Sequence, residues 1–206
     1  MRLRRPGQAV SITGAVFLAV AAAAAPSAGA AKEATHAATP SPVPRSVPEP
    51  SGYRMQDYKG PTPSTLTGGR VLDTAQAKRL HDAGVPFIDV LPRAPKPKGL
   101  PKGTIWRPEP RKDIPGSIWL VDTGYGALAP TMQAYFLDGL KRATKGDKSR
   151  PIVFYCKRHC WMSYNAARRA IAAGYTSVDW YPDGTNGWAE AGYALQPNEP
   201  QPRPDE

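Results

Sequence analysis

The sequence feature that most constrains the fold is a run of four consecutive apolar residues, Ile152–Tyr155, which ends directly at Cys156. Consecutive rather than alternating apolar residues are typical of a strand that is buried on both faces in the middle of a parallel sheet. An Ala-rich stretch with helical character, 163–173, follows and stops at Gly174. Because parallel strands need crossover connections of this kind, a buried strand followed by a helix predicts an α/β fold.

Strand and helix signals alternate through the rest of residues 53–195, which have the length of one ordinary domain. A long segment rich in Pro, Lys and Gly, 92–113, is predicted to be a loop. Strands joined by helices form right-handed crossovers, so we predict a three-layer α/β fold with helices on both faces of a central parallel sheet. The predicted helices cover 73–83, 131–143, 163–173 and 186–191, and the predicted strands 86–91, 114–120, 152–155 and 177–181.

The first 30 residues have the composition of a secretory signal peptide. Three arginines near the N-terminus precede an Ala-rich apolar run, 9–25, and residues 28–30 form a small-x-small cleavage pattern. Cleavage is predicted after Ala30, with Ala31 as a near alternative, although an uncleaved anchor would share the same opening pattern. The expected mature protein is periplasmic or secreted, and it does not associate with the membrane after cleavage.

Low-complexity segments flank the predicted domain. Residues 31–52 are rich in Ala and Pro and lack apolar periodicity, so we expect a disordered tail, and residues 196–206 form a second Pro-rich tail. The formal net charge is +10, but the basic residues are scattered and no nucleic-acid-binding motif accompanies them. The charge therefore predicts a solvated surface with weak attraction to acidic proteins, and no nucleic-acid partner.

The chain has two cysteines, Cys156 and Cys160, and both fall where a central strand would give way to the next helix. Sites in open parallel sheets form at the carboxyl ends of the strands, where helix N-termini offer N–H groups to an anion. A thiol in that position is expected to reach its reactive thiolate form, and the neighbouring Lys157, Arg158 and His159 favour the same form. The alternative is structural, with Cys156 a small buried apolar residue and Cys160 part of the helix.

In an oxidising compartment the two thiols can also pair. A separation of four residues suits a bridge only where the loop is irregular. A bridge that closes so short a loop would add little stability. A Cys156–Cys160 disulfide is therefore expected to be labile and functional rather than structural.

Several segments together resemble the rhodanese-like domain. Residues 87–91 are similar to that family's first strand, 113–118 to its Ile-Pro-Gly turn, and 152–156 to the strand that delivers the catalytic cysteine. Residues 172–188 are similar to the family's closing pattern of Gly, Val and Trp. The resemblance covers about residues 53–193, and it implies a three-layer α/β fold with Cys156 as the catalytic residue.

The cysteine loop differs from the Cys-x-x-Gly-x-Arg-Ser pattern of the family's sulfurtransferases. His159 stands in place of the Gly, Trp161 stands near the place of the Arg, and Ser163 follows after one extra residue. The loop instead resembles a subgroup of periplasmic rhodanese-like proteins that carry a Cys-x-x-x-Cys-Trp motif and are associated with alcohol catabolism dependent on pyrroloquinoline quinone (PQQ). That resemblance implies a PQQ-dependent alcohol dehydrogenase, its cytochrome c or related transport components as partners. For this chain we predict no cofactor and no metal, with metal binding as an alternative.

The main functional hypothesis is a thiol protein with a redox or persulfide-handling role, either a sulfurtransferase or a thiol–disulfide oxidoreductase. Cys156 would be the attacking thiolate and Cys160 the resolving thiol. Asp89, at the end of a predicted strand, would either orient the loop or form a turn. The predicted active-site loop comprises Lys157, Arg158, His159, Trp161, Met162 and Ser163.

Two hypotheses without turnover stay open. One is a metal-binding module, because thiolate and imidazole ligands that bind Cu(I) or Zn(II) occur close together at Cys156, His159 and Cys160, with Met162 nearby. The other is an accessory protein of the quinoprotein dehydrogenase system. In that case the Pro-rich tail and the loop 92–113 would contact a dehydrogenase or cytochrome, and the cysteine pair would be a vestige.

Overall fold

The computed structural model describes residues 47–94, 97–107 and 110–204. In chain order its elements are β1 (Arg70–Val71), α1 (Thr74–Asp82), β2 (Phe87–Asp89), β3 (Arg111–Asp113), β4 (Ile118–Trp119), α2 (Pro130–Thr144), β5 (Ile152–Tyr155), α3 (Trp161–Ala172), β6 (Val178–Tyr181), α4 (Gly184–Glu190) and β7 (Gln196–Asn198). A five-stranded parallel sheet has the order β1-β6-β5-β2-β4, and β3 pairs with β7 in a separate antiparallel ribbon.

The central strand β5 divides the apolar core into two layers. Its side chains alternate between the faces of the sheet, as in any strand. Phe154 packs with one cluster of buried residues, whereas Val153 and Tyr155 pack with the other. All four residues of β5 are fully buried, which is why the run is apolar throughout.

Helices cover both faces of the sheet, so the predicted three-layer α/β fold is confirmed. Phe136 of α2 and Ala167 of α3 belong to the cluster on the Phe154 side. Ala77 of α1 and Trp188 of α4 belong to the cluster on the opposite side. Each of the four predicted helices is present, with ends that differ by at most two residues from those predicted.

The first of these helices begins as its sequence indicates. Asp73 accepts a hydrogen bond from the N–H of Gln76 at 2.7 Å, and the Gln76 side chain accepts one from the N–H of Asp73 at 2.9 Å. This capping box satisfies two backbone donors that the helix itself leaves unpaired. The start of α1 is therefore set by two residues, Asp73 and Gln76.

The N-terminal flank differs from the disordered tail expected at residues 31–52, because residues 47–52 pack against the domain. Glu49 accepts hydrogen bonds from the hydroxyl of Thr65 at 2.5 Å and the N–H of Thr67 at 2.9 Å. Arg168 donates to the carbonyl of Gly52 at 2.8 Å. Specific polar contacts of this kind hold a segment that has no apolar periodicity.

The C-terminal flank is also ordered by pairing. Residues 196–198, which the sequence assigns to a tail, form β7 and pair with β3. The N–H of Gln201 donates to the carbonyl of Trp119 at 2.9 Å. Proline is compatible with such a strand because the ribbon has open edges, where a missing N–H costs no ladder hydrogen bond.

Two predictions concern membrane contact. Within the three ranges given above, no helix combines the length and the apolar character that a bilayer span requires. The predicted signal peptide, 1–30, and the first part of the predicted tail lie outside the described residues.

Candidate thiol redox site

The two cysteines lie at the carboxyl end of β5, in the loop that leads into α3. Cys156 is the first residue after the strand, and Cys160 directly precedes α3 at its N-cap position. A disulfide joins them, with 6.5 Å between their Cα atoms. Both sulfur atoms therefore lie at the edge of the sheet where sites of open α/β folds form.

Backbone contacts tie this loop to the start of α4. The N–H of Thr185 donates to the carbonyl of Cys156 at 3.1 Å, and Lys157 forms an isolated antiparallel bridge with Gly184. Gly184 has a φ of 50°, and a Cβ atom placed on it would lie 2.4 Å from the carbonyl oxygen of Cys156. Glycine is therefore required here, because a side chain would push the two segments apart.

The loop turns sharply at His159, whose φ of 58° lies in the left-handed region. Glycine adopts this conformation without steric cost, whereas an L-residue is less stable in it by roughly 1–2 kcal/mol. His159, which stands in place of the Gly of the Cys-x-x-Gly-x-Arg-Ser pattern, thus adopts a backbone conformation that favours glycine. Its side chain is exposed, and its carbonyl accepts a hydrogen bond from the N–H of Gly60 at 2.8 Å.

Residues 54–60, here named the covering segment, lie across the cysteine loop. The N–H of Trp161 donates to the carbonyl of Tyr58 at 2.8 Å, and Lys59 forms an isolated antiparallel bridge with Cys160. The side chain of Asn165, buried in α3, exchanges two hydrogen bonds of 2.9 Å with the backbone N–H and carbonyl of Arg54. The predicted active-site loop does not include this segment. The one available signal was Asn165, a polar residue in an Ala-rich helix that needs a partner when buried.

The two sulfur atoms differ in accessibility. Cys156 is fully buried, whereas Cys160 is partly exposed. The polar neighbours of Cys156 Sγ among the described residues are the carbonyl oxygens of Lys157 and Cys160, each at 3.6 Å, and the hydroxyl of Ser163 at 3.3 Å. The sequence predicts backbone N–H groups around this sulfur, but in the disulfide form carbonyl oxygens lie there instead.

Ser163 supplies the hydroxyl donor closest to Cys156. The indole N–H of Trp180 donates to Ser163 Oγ at 3.0 Å, so the hydroxyl hydrogen of Ser163 is left for another acceptor. The carbonyl of Cys160, at 3.2 Å, and Cys156 Sγ, at 3.3 Å, are both in reach. Ser163 and Trp180 are fully buried, so this chain of contacts is shielded from water.

The basic residues of the loop are placed differently from one another. The guanidinium of Arg158 donates to Asp183 at 2.8 Å and to both carboxylate oxygens of Glu190 at 2.7 and 2.6 Å. The hydrogen bonds to Glu190 and then Asp183 raise the pKa of Arg158, and the hydrogen bond from Arg158 lowers the pKa of Glu190. Arg158 is therefore committed to carboxylates on α4 and its N-cap, whereas Lys157 is exposed.

Trp161 and Met162 form the buried start of α3. The ring of Trp161 is 3% exposed, meets Tyr164 edge to face at 5.4 Å, and lies under the guanidinium of Arg54 at 5.2 Å. Met162 backs directly onto Gly124, where an added Cβ atom would lie 2.3 Å from the Met162 side chain. Both residues belong to the same buried apolar cluster as Cys156.

Asp89 performs the turn-forming role rather than contacting the cysteine loop. One carboxylate oxygen accepts the N–H of Leu91 at 2.9 Å, and the other accepts Nε–H of Arg111 at 2.7 Å. Burial raises the pKa of Asp89, although the nearby Arg111 opposes this shift. A fully buried carboxylate without that guanidinium would be strongly destabilising.

The metal-binding hypothesis requires several ligand side chains close together. In the part of the chain that the structure describes, no three His, Cys, Asp or Glu side chains are grouped so that they could hold a metal ion. The two sulfur ligands of that hypothesis, Cys156 and Cys160, are bonded to each other.

Comparison with known proteins agrees with this architecture. A family model described as Rhodanese-like domain matches residues 74–191, a range that includes all four helices and the cysteine loop. No protein with a curated description matches the chain. One similar solved structure is titled "Atomic resolution structure of uncharacterized protein from Saccharomyces cerevisiae". It is 25% identical, with coverage of 60% of this chain and 92% of that chain and a TM-score of 0.35.

Proposed function

The chain belongs to the rhodanese-like domain family, and from that premise we propose that it is a thiol–disulfide redox protein whose working pair is Cys156 and Cys160. The observation that carries the proposal is the disulfide at the sheet edge, with one sulfur atom partly exposed and the other buried beside a hydroxyl donor. Unequal exposure of two bonded sulfur atoms directs an incoming thiolate to the exposed one.

The first step is attack on Cys160. A thiolate of the partner forms a new S–S bond with Cys160 Sγ, the Cys156–Cys160 bond breaks, and its electron pair leaves on Cys156 Sγ as a thiolate. Ser163 can turn its hydroxyl hydrogen from the Cys160 carbonyl to this sulfur, because the two acceptors lie at 3.2 and 3.3 Å. A hydrogen bond to a charged sulfur stabilises the leaving group.

The second step completes the exchange. A second thiolate of the partner attacks the partner's sulfur in the mixed disulfide, which releases Cys160 as a thiolate that takes up a proton. One partner dithiol is oxidised to a disulfide and one protein disulfide is reduced, so atoms and electrons balance. The same steps in reverse oxidise the protein. In this scheme Cys160 is the sulfur that is attacked, and Cys156 is the leaving group.

Persulfide transfer has less support than redox exchange. A sulfur donor would have to reach Cys156, which is fully buried in the disulfide form. The position near the family's substrate-binding Arg holds Trp161, whose buried ring carries no charge for an anionic donor.

Intact mass spectrometry of the full chain tests the redox proposal. We expect native protein incubated with graded ratios of oxidised to reduced dithiothreitol, and then alkylated, to gain two alkyl groups with a single midpoint, and we expect reoxidation to reverse the change. The proposal would be overturned if the disulfide were reduced, and its thiols alkylated, only after denaturant is added. In a parallel arm, reduced protein is incubated with thiosulfate. A stable gain of one sulfur atom would favour persulfide transfer instead.

We also propose that the protein acts in the periplasm, in support of PQQ-dependent alcohol oxidation. The signal-peptide pattern and the Cys-x-x-x-Cys-Trp motif support this role, with a quinoprotein dehydrogenase, its cytochrome c or a transport component as the partner. We expect a strain in which Ser replaces both cysteines to grow more slowly on an alcohol that such a dehydrogenase oxidises, and normally on a sugar. Unchanged growth on that alcohol would contradict a role for the thiols and would favour an accessory protein without turnover.

A further inference from the structure

A large cleft is lined in part by Lys157 of the cysteine loop. It has a volume of about 1010 Å³ and is bounded by the segment after β2, by β3 with the residues that precede it, and by α4. Its apolar walls include Leu91, Trp106 and Leu195, and its basic lining includes Arg111, Lys112 and Lys157. A volume of this size, with apolar walls and a few polar groups, is typical of a site for a small organic molecule.

Arg111 is the most unusual residue of this lining. Its side chain is 8% exposed, and its Nε–H is held by Asp89 at 2.7 Å. Its Nη2 atom is buried and has no hydrogen-bond partner among the described residues. Leaving such a donor unpaired is unfavourable, and a bound acceptor would remove that penalty. Asp89 thus holds in place a planar guanidinium that has spare donors and lines a cleft.

The charges around Arg111 favour an anion. Lys112 and Lys157 form no ion pair with any described residue, although both line the cleft. Glu190, the acidic side chain among the described lining residues, is already bound by Arg158 at 2.6 Å. An open cleft with unpaired cations at its rim concentrates anions.

Besides Asp89, which is already paired with Arg111, the neighbouring group that could oppose an anion is Asp113. It is fully buried on β3, next to the Asp89–Arg111 pair, and burial raises its pKa to about 7. Its carboxyl is therefore substantially protonated near neutral pH, which reduces the repulsion that an anion at Arg111 would meet.

We propose that this cleft binds a small aromatic carboxylate, with its carboxylate on the guanidinium of Arg111 and its ring against Trp106. The planar fork of arginine matches a carboxylate in geometry, and an indole ring offers an apolar face to an aromatic body. Lys112 and Lys157 supply further positive charge at the rim. The proposal does not depend on the redox activity of the cysteines, and its test reads binding alone.

Calorimetric titration of the full oxidised chain with naphthoate tests this assignment, with the uncharged naphthamide as the matched ligand. We expect naphthoate to bind at least about tenfold more tightly, because a single charged contact is worth about 1.4 kcal/mol or more. Inorganic phosphate, which lacks an apolar body, is expected to bind more weakly than naphthoate. Equal affinities for naphthoate and naphthamide, or phosphate binding as tight as naphthoate, would overturn the proposal.

Variants locate the site without relying on Arg111, which also supports a buried carboxylate. We expect Lys112→Gln and Trp106→Ala each to weaken naphthoate binding by about fivefold or more. Lys141→Gln removes an exposed lysine of α2 outside the cleft and is expected to change the affinity less than about twofold. Binding that none of the cleft variants weakens would overturn the assignment.

Discussion

Protein carrying Cys156→Ser is expected to react with dipyridyl disulfide at least about a hundredfold faster than protein carrying Cys160→Ser. The first variant keeps Cys160, which is partly exposed, and the second keeps Cys156, which is fully buried. Reaction at a buried thiol requires local opening, and an opening free energy of about 3 kcal/mol corresponds to a factor of about one hundred. The neutral reagent is chosen so that the basic residues near the loop do not bias the rates.

The measurement is the release of the pyridyl thione under native conditions. In denaturant both variants should react at similar rates, which controls for intrinsic thiol reactivity. Similar native rates, or the opposite order, would contradict attack at Cys160 and would return Cys156 to the attacking role that the sequence suggests. The result therefore decides the direction of the exchange, whichever partner supplies the thiolate.

Replacement of Gly184 by alanine is expected to destabilise the oxidised protein by about 2–5 kcal/mol and to loosen the cysteine loop. The new Cβ atom would lie 2.4 Å from the carbonyl oxygen of Cys156, and the φ of 50° is unfavourable for an L-residue. Overpacking typically costs about 1–3 kcal/mol, and a left-handed L-residue costs about 1–2 kcal/mol. Urea unfolding of the oxidised protein measures the change.

Gly192→Ala is the matched control for this variant. Gly192 has a φ of 81°, but a Cβ atom there would meet nothing within 4 Å. It therefore carries the conformational cost without the steric clash. We expect Gly184→Ala, and not Gly192→Ala, to speed reduction of the disulfide by dithiothreitol. Equal effects of the two substitutions on stability and reduction would show that the contact with Cys156 has no special role.

The sheet and the helices could be predicted because each carries a local pattern. β5 is a short apolar run, α1 has its Asp73 cap, and α3 is an Ala-rich stretch that ends before Gly174. The strands β1, β3 and β7 were not predicted. They are only two or three residues long, and β3 and β7 contain Lys112 and Pro197, so their pairing depends on partners that are distant in the sequence.

The same limit applies to the candidate site. The sequence indicates that Cys156 and Cys160 lie together at a strand end, because strand, loop and helix are consecutive. It does not indicate that Arg158 is bound by Asp183 and Glu190, at the two ends of α4. It also does not indicate that Arg111 is bound by Asp89, which is 22 residues away in the chain. These contacts are set by tertiary packing. They decide which of the local charges remain available to an anion.

Helix α3 is joined to residues that precede the matched family region of 74–191. The joining hydrogen bonds run between Arg54 and Asn165 and between Trp161 and Tyr58. A fragment trimmed to those limits would keep both thiols and four of the five strands of the parallel sheet, but it would lose β1 and the covering segment. The two thiols of such a fragment would be more accessible to oxidants and to other thiol-reactive compounds. A fragment that is meant to keep the environment of the thiols should therefore include the covering segment, 54–60.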